Sequence, residues 1–447
     1  MNELQLVFAI LSGIAILLLF IIRLKLNAFL SLLIASIWVG LVGGLSGEVI
    51  LDSISTGMGN TLAFVATIVG LGAIFGAILE HSGGAQALAK YLLKKGGETK
   101  SRLALLVTGF IVSIPVFFDV GIIILFPIVK ALSAKSGKNV LYYALPLLTG
   151  LAVTHSFIPP TPGPVAVADI LNVDLGYAIV VGSLIGLPIA LLCGLYLCKF
   201  ITPKEATQIE VQEESPASVD DNLVKTIFFV LGLPIGLILS GSLLKTLAGE
   251  EVITNGILIE VMSFIGHPFV SLLIGTLLAL YFLGTKRGTT KEELFDVANR
   301  SLGPAGSIIL ITGAGGVLKQ VMINTGIGDM IASTMQSGTV SIILLAYLVA
   351  VLVRVTQGSA TVAMLTAAGI VAAVIPGMDL SMLDKTLIMM AIAAGSIVLS
   401  HVNDSGFWLV NRYLGHSVQQ TLRSWTIQSS MISVSSFILI FVVYQVL

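Results

Sequence analysis

The sequence predicts an all-α polytopic membrane protein made of two inverted-topology repeats, each with a re-entrant hairpin and a broken helix. Three observations lead there. The 447 residues are 56% hydrophobic and only 11% charged, against roughly 25% charged in soluble domains. Mean hydropathy is +1.03, and apolar runs of span length recur along the whole chain. A pattern of motifs also occurs twice, about 240 to 246 residues apart.

Apolar segments fall at 4–22, 28–45, 62–80, 103–132, 140–165, 175–198, 223–243, 267–283, 304–322, 339–375, 387–405 and 424–446. Residues 1–27 supply a first helix and a basic loop; the absence of a basic n-region reads as a retained span rather than a signal peptide. Repeat 1 is assigned to 28–199, an acidic linker and connecting helix to 200–266, and repeat 2 to 267–447. Segments 103–132 and 339–375 are too long for one span and are interrupted by FFDVG (117–121) and TQGSAT (356–361). Each is predicted to enter and leave on one side, which membrane depth tolerates only where protein or a wet cavity surrounds the irregular backbone. The count is then about 10 full spans plus 2 hairpins, or 12–14 if hairpins count as spans.

With both termini outside, 19 of the 23 basic residues fall in predicted cytoplasmic loops, as the positive-inside rule requires. Counting each hairpin as two spans keeps the same sidedness. Arg354 and Lys319 are the basic residues left inside predicted membrane segments.

The repeat is legible in FLSLLIA (29–35) against FVSLLIG (269–275), and in IVGLGAIFGAILEHSGGA (68–85) against ITGAGGVLKQVMINTGIG (311–328). The interrupted segments follow in the same order, then TGLAVTHS (149–156) against GSIVLSHV (395–402). Five predicted spans separate the starts of the copies, and an odd number inverts the second. Inverted repeats with broken helices mark secondary transporters, with the site at the repeat interface.

HSFIPPTPGP (155–164) stops a helix through four prolines, and SHVNDSGFW (400–408) is its polar counterpart. Carbonyls freed at such breaks need donors, which a polar substrate or water can supply. Turns and half-helix N-termini offer N–H groups to an anion. Arg354 lies four residues before GSAT (358–361), where it can grip a carboxylate through two parallel bonds or pair internally with Asp404. Lys319 is a second candidate for the anion, or an internal partner of Asp119. Ser359, Thr361, His155, Thr161 and Asn403 are candidate substrate ligands. Asp119, Asp404 and His401 are candidate carriers of a coupling proton; Asp404 capping a half-helix and His155 bonding a freed carbonyl are the simpler alternatives. Glu80 and His81 sit at a span end and read as interfacial, and Gly70, Gly72, Gly76, Gly313, Gly315 and Gly316 as close-packing positions.

Taken together, RLKLNAFLSLLIAS (23–36), GGAQ (83–86), FFDVG, THSFIPPTPGP, GAGGVLKQ (313–320), GSATVA (358–363) and SHVNDSGFW resemble the gluconate permease family over nearly the whole length. That resemblance implies a proton symporter in a bacterial inner membrane that imports gluconate or a related aldonate or uronate. One branch of the family carries D-serine; a zwitterion brings its own ammonium, so the presence of both Lys319 and Arg354 points to an anion. Two features depart from some family members: Thr161 stands where a second histidine occurs, and an acidic Glu replaces Asp in the FFDVG motif of others. The expected partners are the sugar-acid anion and the lipid bilayer, with a homodimer as the assembly considered. A net charge of −1 implies no nucleic acid. No cofactor or metal is implied. Cys193 and Cys198 read as packing residues. A sodium-coupled carboxylate carrier of the same fold is the main rival. An intramembrane hydrolase would need a nucleophile geometry that the adjacent His155 and Ser156 rarely give.

Overall fold

The computed structural model describes residues 3–203, 221–249, 256–326, 341–375 and 378–446. Most of the acidic linker, including Glu205, Glu210, Glu213, Glu214 and Asp220, lies outside the described residues, as do residues 339 and 340 of the second interrupted segment. All regular structure among the described residues is helical.

In chain order the helices are α1 (Glu3–Ile22), α2 (Ala28–Val42), α3 (Gly47–His81), α4 (Gly84–Gly96), α5 (Ser101–Val112), α6 (Phe118–Ser136), α7 (Val140–Phe157), α8 (Pro162–Leu171) and α9 (Leu175–Phe200). They continue with α10 (Asp221–Gly249), α11 (Gly256–Ile265), α12 (Pro268–Arg287), α13 (Lys291–Asn324), α14 (Ile342–Gln357), α15 (Ala360–Ala372), α16 (Met382–Ile397), α17 (Ser405–Leu414) and α18 (Val418–Val446). Among the described residues, 7 helical stretches are long and apolar enough to cross a bilayer: α3, α7 with α8, α9, α10, α12, α13 and α18. Of the ten full spans expected, α1 reaches 20 residues, α2 is shorter at 15, and the segment at 387–405 is divided between α16 and α17.

Both interrupted segments are hairpins. Arg102, at the start of α5, lies over the Tyr142 ring, 4.7 Å from its centroid. Phe117, at the tip, packs edge-on against His155. The chain then returns along α6 to reach the start of α7 at Val140. α5 therefore climbs beside α7 and α6 descends, so both arms open at one end. The second segment repeats this: the Arg354 guanidinium reaches the Val398 carbonyl beyond α16 at 3.3 Å, so α15 must run back to the start of α16. At about 1.5 Å per residue, the 12 residues of α5 cover about 18 Å, short of a hydrocarbon core of about 30 Å, while α6 with 19 residues is the longer arm.

α3 and α13, the longest helices at 35 and 34 residues, pack antiparallel. Asn324 donates to Ser53 at 2.8 Å at one end of the pair, and Gly70 faces Leu302 towards the other. Small residues allow the contact: a Cβ on Gly316 would strike Thr61 and the Gly57 carbonyl, and one on Gly313 would strike Met58. Gly76 likewise admits the Pro115 carbonyl of the first hairpin. Gly70 has only Leu302 nearby, at 3.9 Å, so packing does not explain it.

The second arm of each hairpin packs on the distal half of the other broken helix, α6 on α17 and α15 on α8. Phe126 meets Tyr413 on one side, and Gly163 makes room for Met364 on the other. These crossings bring both hairpin tips and both breaks to one place.

Candidate functional site

A cavity of about 390 Å³ lies where they meet. The first hairpin tip contributes Phe117, Phe118 and Asp119, and α7 contributes His155 and Ser156. Arg354, Ser359, Ala360 and Thr361 come from the second tip, with Asp404, Ser405 and Gly406 from the α16–α17 break. Pro304 and Ile308 of α13 and Trp425 of α18 close the wall.

Arg354 is the centre of its polar network. It is 4% exposed and bonds the Asp404 carboxylate at 2.5 Å. Its other nitrogens donate to the carbonyls of Gly358 and Val398. Asp404 accepts from the Ser400 hydroxyl at 2.5 Å and caps α17 through the Gly406 amide at 3.0 Å. Trp425 in turn donates to Ser400 at 2.8 Å. Asp119 sits in the first turn of α6, facing the Ser405 hydroxyl and within electrostatic reach of Asp404. A guanidinium carries five N–H donors, so Arg354 retains donor capacity beyond its three internal bonds.

Three helix N-termini point at this space, those of α6, α15 and α17. Each carries partial positive charge from its unpaired amides. With Arg354 they make the cavity attractive to an anion, while Asp119 and Asp404 oppose one. Stacked Phe118 and Trp425, with centroids 5.5 Å apart, give an apolar wall. His155 Nδ1 is buried with no hydrogen-bond partner.

Of the ten site residues predicted from sequence, Arg354, Ser359, Thr361, His155, Asp119 and Asp404 line the cavity. The other four lie outside its wall. Lys319 donates to the Ile170 carbonyl at 2.6 Å and lies beside Asp169, not Asp119. Its charge thus complements the C-terminal end of α8. Thr161 donates to the Ile158 carbonyl at 2.6 Å, so one freed carbonyl is satisfied within the break. His401 and Asn403 bond the Val355 carbonyl at 2.9 and 3.1 Å. Ser405 lines the cavity as part of the polar cluster expected at the second break. Asp169, Ser400 and Trp425 were not singled out from sequence. Asp169 and Trp425 left a signal, a lone carboxylate in VAVADIL and an indole in the last span; Ser400 left none beyond its motif.

The profile of the GntP family permeases matches residues 4–447. A gluconate permease of Bacillus subtilis is 36% identical, covering 95% of this chain and 96% of that protein. A gluconate permease of Pseudomonas aeruginosa is 35% identical, covering 96% and 95%. The Gnt-II system L-idonate transporter of Escherichia coli is 34% identical over 98% of both chains. Among solved structures, the YdaH transporter of Alcanivorax borkumensis, described as having an unusual topology, aligns with a TM-score of 0.60 at 15% identity, covering 89% of each chain; at that identity the likeness concerns the fold alone. With a family profile over nearly its full length and relatives above 30% identity end to end, this multi-pass membrane protein, a transporter and not an enzyme, belongs to the GntP permease family.

Proposed function

We propose that the protein imports gluconate or a closely related sugar-acid anion with protons across a bacterial inner membrane. The observation that carries this reading is the buried guanidinium of Arg354, set among three helix N-termini in a cavity that also holds Asp119 and Asp404. The substrate carboxylate would take Arg354 from Asp404. Ser359, Thr361 and the unpartnered His155 nitrogen would meet hydroxyls. The names of the relatives, gluconate permeases and an idonate transporter, agree with this substrate class.

Coupling follows from charge. One guanidinium faces two carboxylates, so an arriving anion adds a third negative group to a space of low dielectric. A proton on Asp404 frees Arg354 for the substrate, and one on Asp119 removes the remaining repulsion. Transport without a proton would leave that excess charge in place.

For topology, the reading keeps two inverted repeats, 28–199 and 267–447, with ten spans, two hairpins and both termini periplasmic. Antiparallel packing of α3 on α13, which hold the same place in the two copies, supports it. Alternating access would then come from movement of one part of the assembly against the other.

The test is labelled-gluconate uptake into proteoliposomes under an inward proton gradient, without sodium, with idonate, fructuronate, glycerate and D-serine as competitors. Accumulation that a protonophore abolishes is the expected result. Uptake that requires sodium, or that only D-serine competes, would replace the coupling ion or the substrate.

A further inference from the structure

We propose that a second cavity beside the first is the cytoplasmic vestibule of the transport path, where Arg300 receives the carboxylate of the sugar acid on its way out. This inference rests on the sugar-acid transport reading above. The second cavity, of about 350 Å³, is lined by Glu80 and His81 at the end of α3 and by Arg300 and Ser301 of α13. Phe117, Val120 and Pro304 line both cavities. The two cavities therefore adjoin at these three residues.

α3 and α13 are in close contact at one end and border a cavity at the other. Near Gly57 and Gly316 their backbones touch, and Asn324, itself held by Gln320 of the same helix at 3.0 Å, donates to Ser53 across the pair at 2.8 Å. Around Ala73, Ala77 and Val297 the same pair lines the second cavity together with Pro115, Val116, Phe117 and Val120 of the first hairpin. Pro304 lies inside α13 at that point and deprives the Arg300 carbonyl of its intrahelical donor, which loosens the helix there. The cavity lies in the half of α13 that begins at Lys291, a helix preceded in the chain by Lys286 and Arg287.

The chemistry suits passage. Arg300 is exposed, and among the described residues it forms no hydrogen bond or ion pair, so its fork is free for a carboxylate. Glu80 on the facing helix opposes the anion and keeps its stay short. Phe117 belongs to the hairpin tip that also carries Asp119, so movement of that tip would shift gate and carboxylate together.

The experiment modifies Ser301→Cys with a membrane-impermeant thiol reagent in inside-out and right-side-out vesicles, with and without gluconate. Both native cysteines are buried, so wild-type protein is the control. Labelling from the cytoplasmic face alone, slowed by gluconate and followed by loss of gluconate counterflow, is expected. Arg300→Gln should raise the apparent KM for gluconate on the cytoplasmic side about tenfold, the value of one charged hydrogen bond, and Arg300→Lys should recover part of it. Full labelling with counterflow unchanged overturns the vestibule while leaving the transport reading intact. Labelling only from the periplasmic face overturns it too. If unlabelled wild-type protein carries no gluconate, the transport reading fails and the vestibule fails with it.

Discussion

The two helix breaks hold equivalent places in the chain but are built in opposite ways. The first, between α7 and α8, is steric. Prolines end the helix, Thr161 satisfies the Ile158 carbonyl locally, and Gly182 of α9 lets the Phe157 carbonyl approach the neighbouring backbone. The second, between α16 and α17, is held by hydrogen bonds. Ser429 and Ser430 of α18 accept from the amides of Ser400 and Leu399, and Thr426 donates to the Ser400 carbonyl. His401 and Asn403 tie it to the end of α14. Leu399 is held there at φ 45°, a conformation few leucines adopt. A proline break is rigid whatever its neighbours do. A hydrogen-bonded break keeps its shape only while its partners stay, so it can respond to a substrate or a proton. Arg354 and Asp404 belong to the responsive one.

That contrast can be broken at its strongest point first. Arg354→Ala should abolish anion uptake and lower stability by about 3–5 kcal/mol, because Asp404 is left buried without its partner. Adding Asp404→Asn should restore much of the stability and none of the transport. Uptake assays with thermal unfolding in detergent separate the two effects, and uptake by Arg354→Ala at unchanged apparent affinity would remove the guanidinium from substrate binding. Asp119→Asn should keep gluconate exchange but lose accumulation driven by a pH gradient. Full accumulation by that variant would leave Asp404 as the remaining carboxylate.

Smaller effects sharpen the same comparison. In the second break, His401→Ala should cost about 1 kcal/mol by taking one of two partners from the Val355 carbonyl, seen as a lower melting temperature, with a change in gluconate affinity as α14 loosens. In the first break, Thr161→Val should cost about 1 kcal/mol and leave affinity within about threefold, because Thr161 serves a carbonyl of its own break. Equal effects of these two variants on affinity would mean that the breaks do not differ in the way their bonding suggests.

Much of this was legible in sequence because it follows from solvent. A chain surrounded by lipid must bond its own backbone amides, so apolar length marks spans, and proline, glycine and polar clusters inside apolar runs mark the interruptions. The described helices break at FFDVG and at GSAT, where the sequence shows interruptions. Lys319 shows the limit. Sequence argues that a lysine in a membrane segment needs a partner, but the choice among Asp119, a substrate and Asp169 depends on which helix passes beside it. Composition and pattern thus determined the class, the interruptions and a short set of residues able to carry an anion and a proton. Only tertiary structure decided which of them share a cavity, because distances between residues hundreds of positions apart are set by helix packing, and neither hydropathy nor spacing records them.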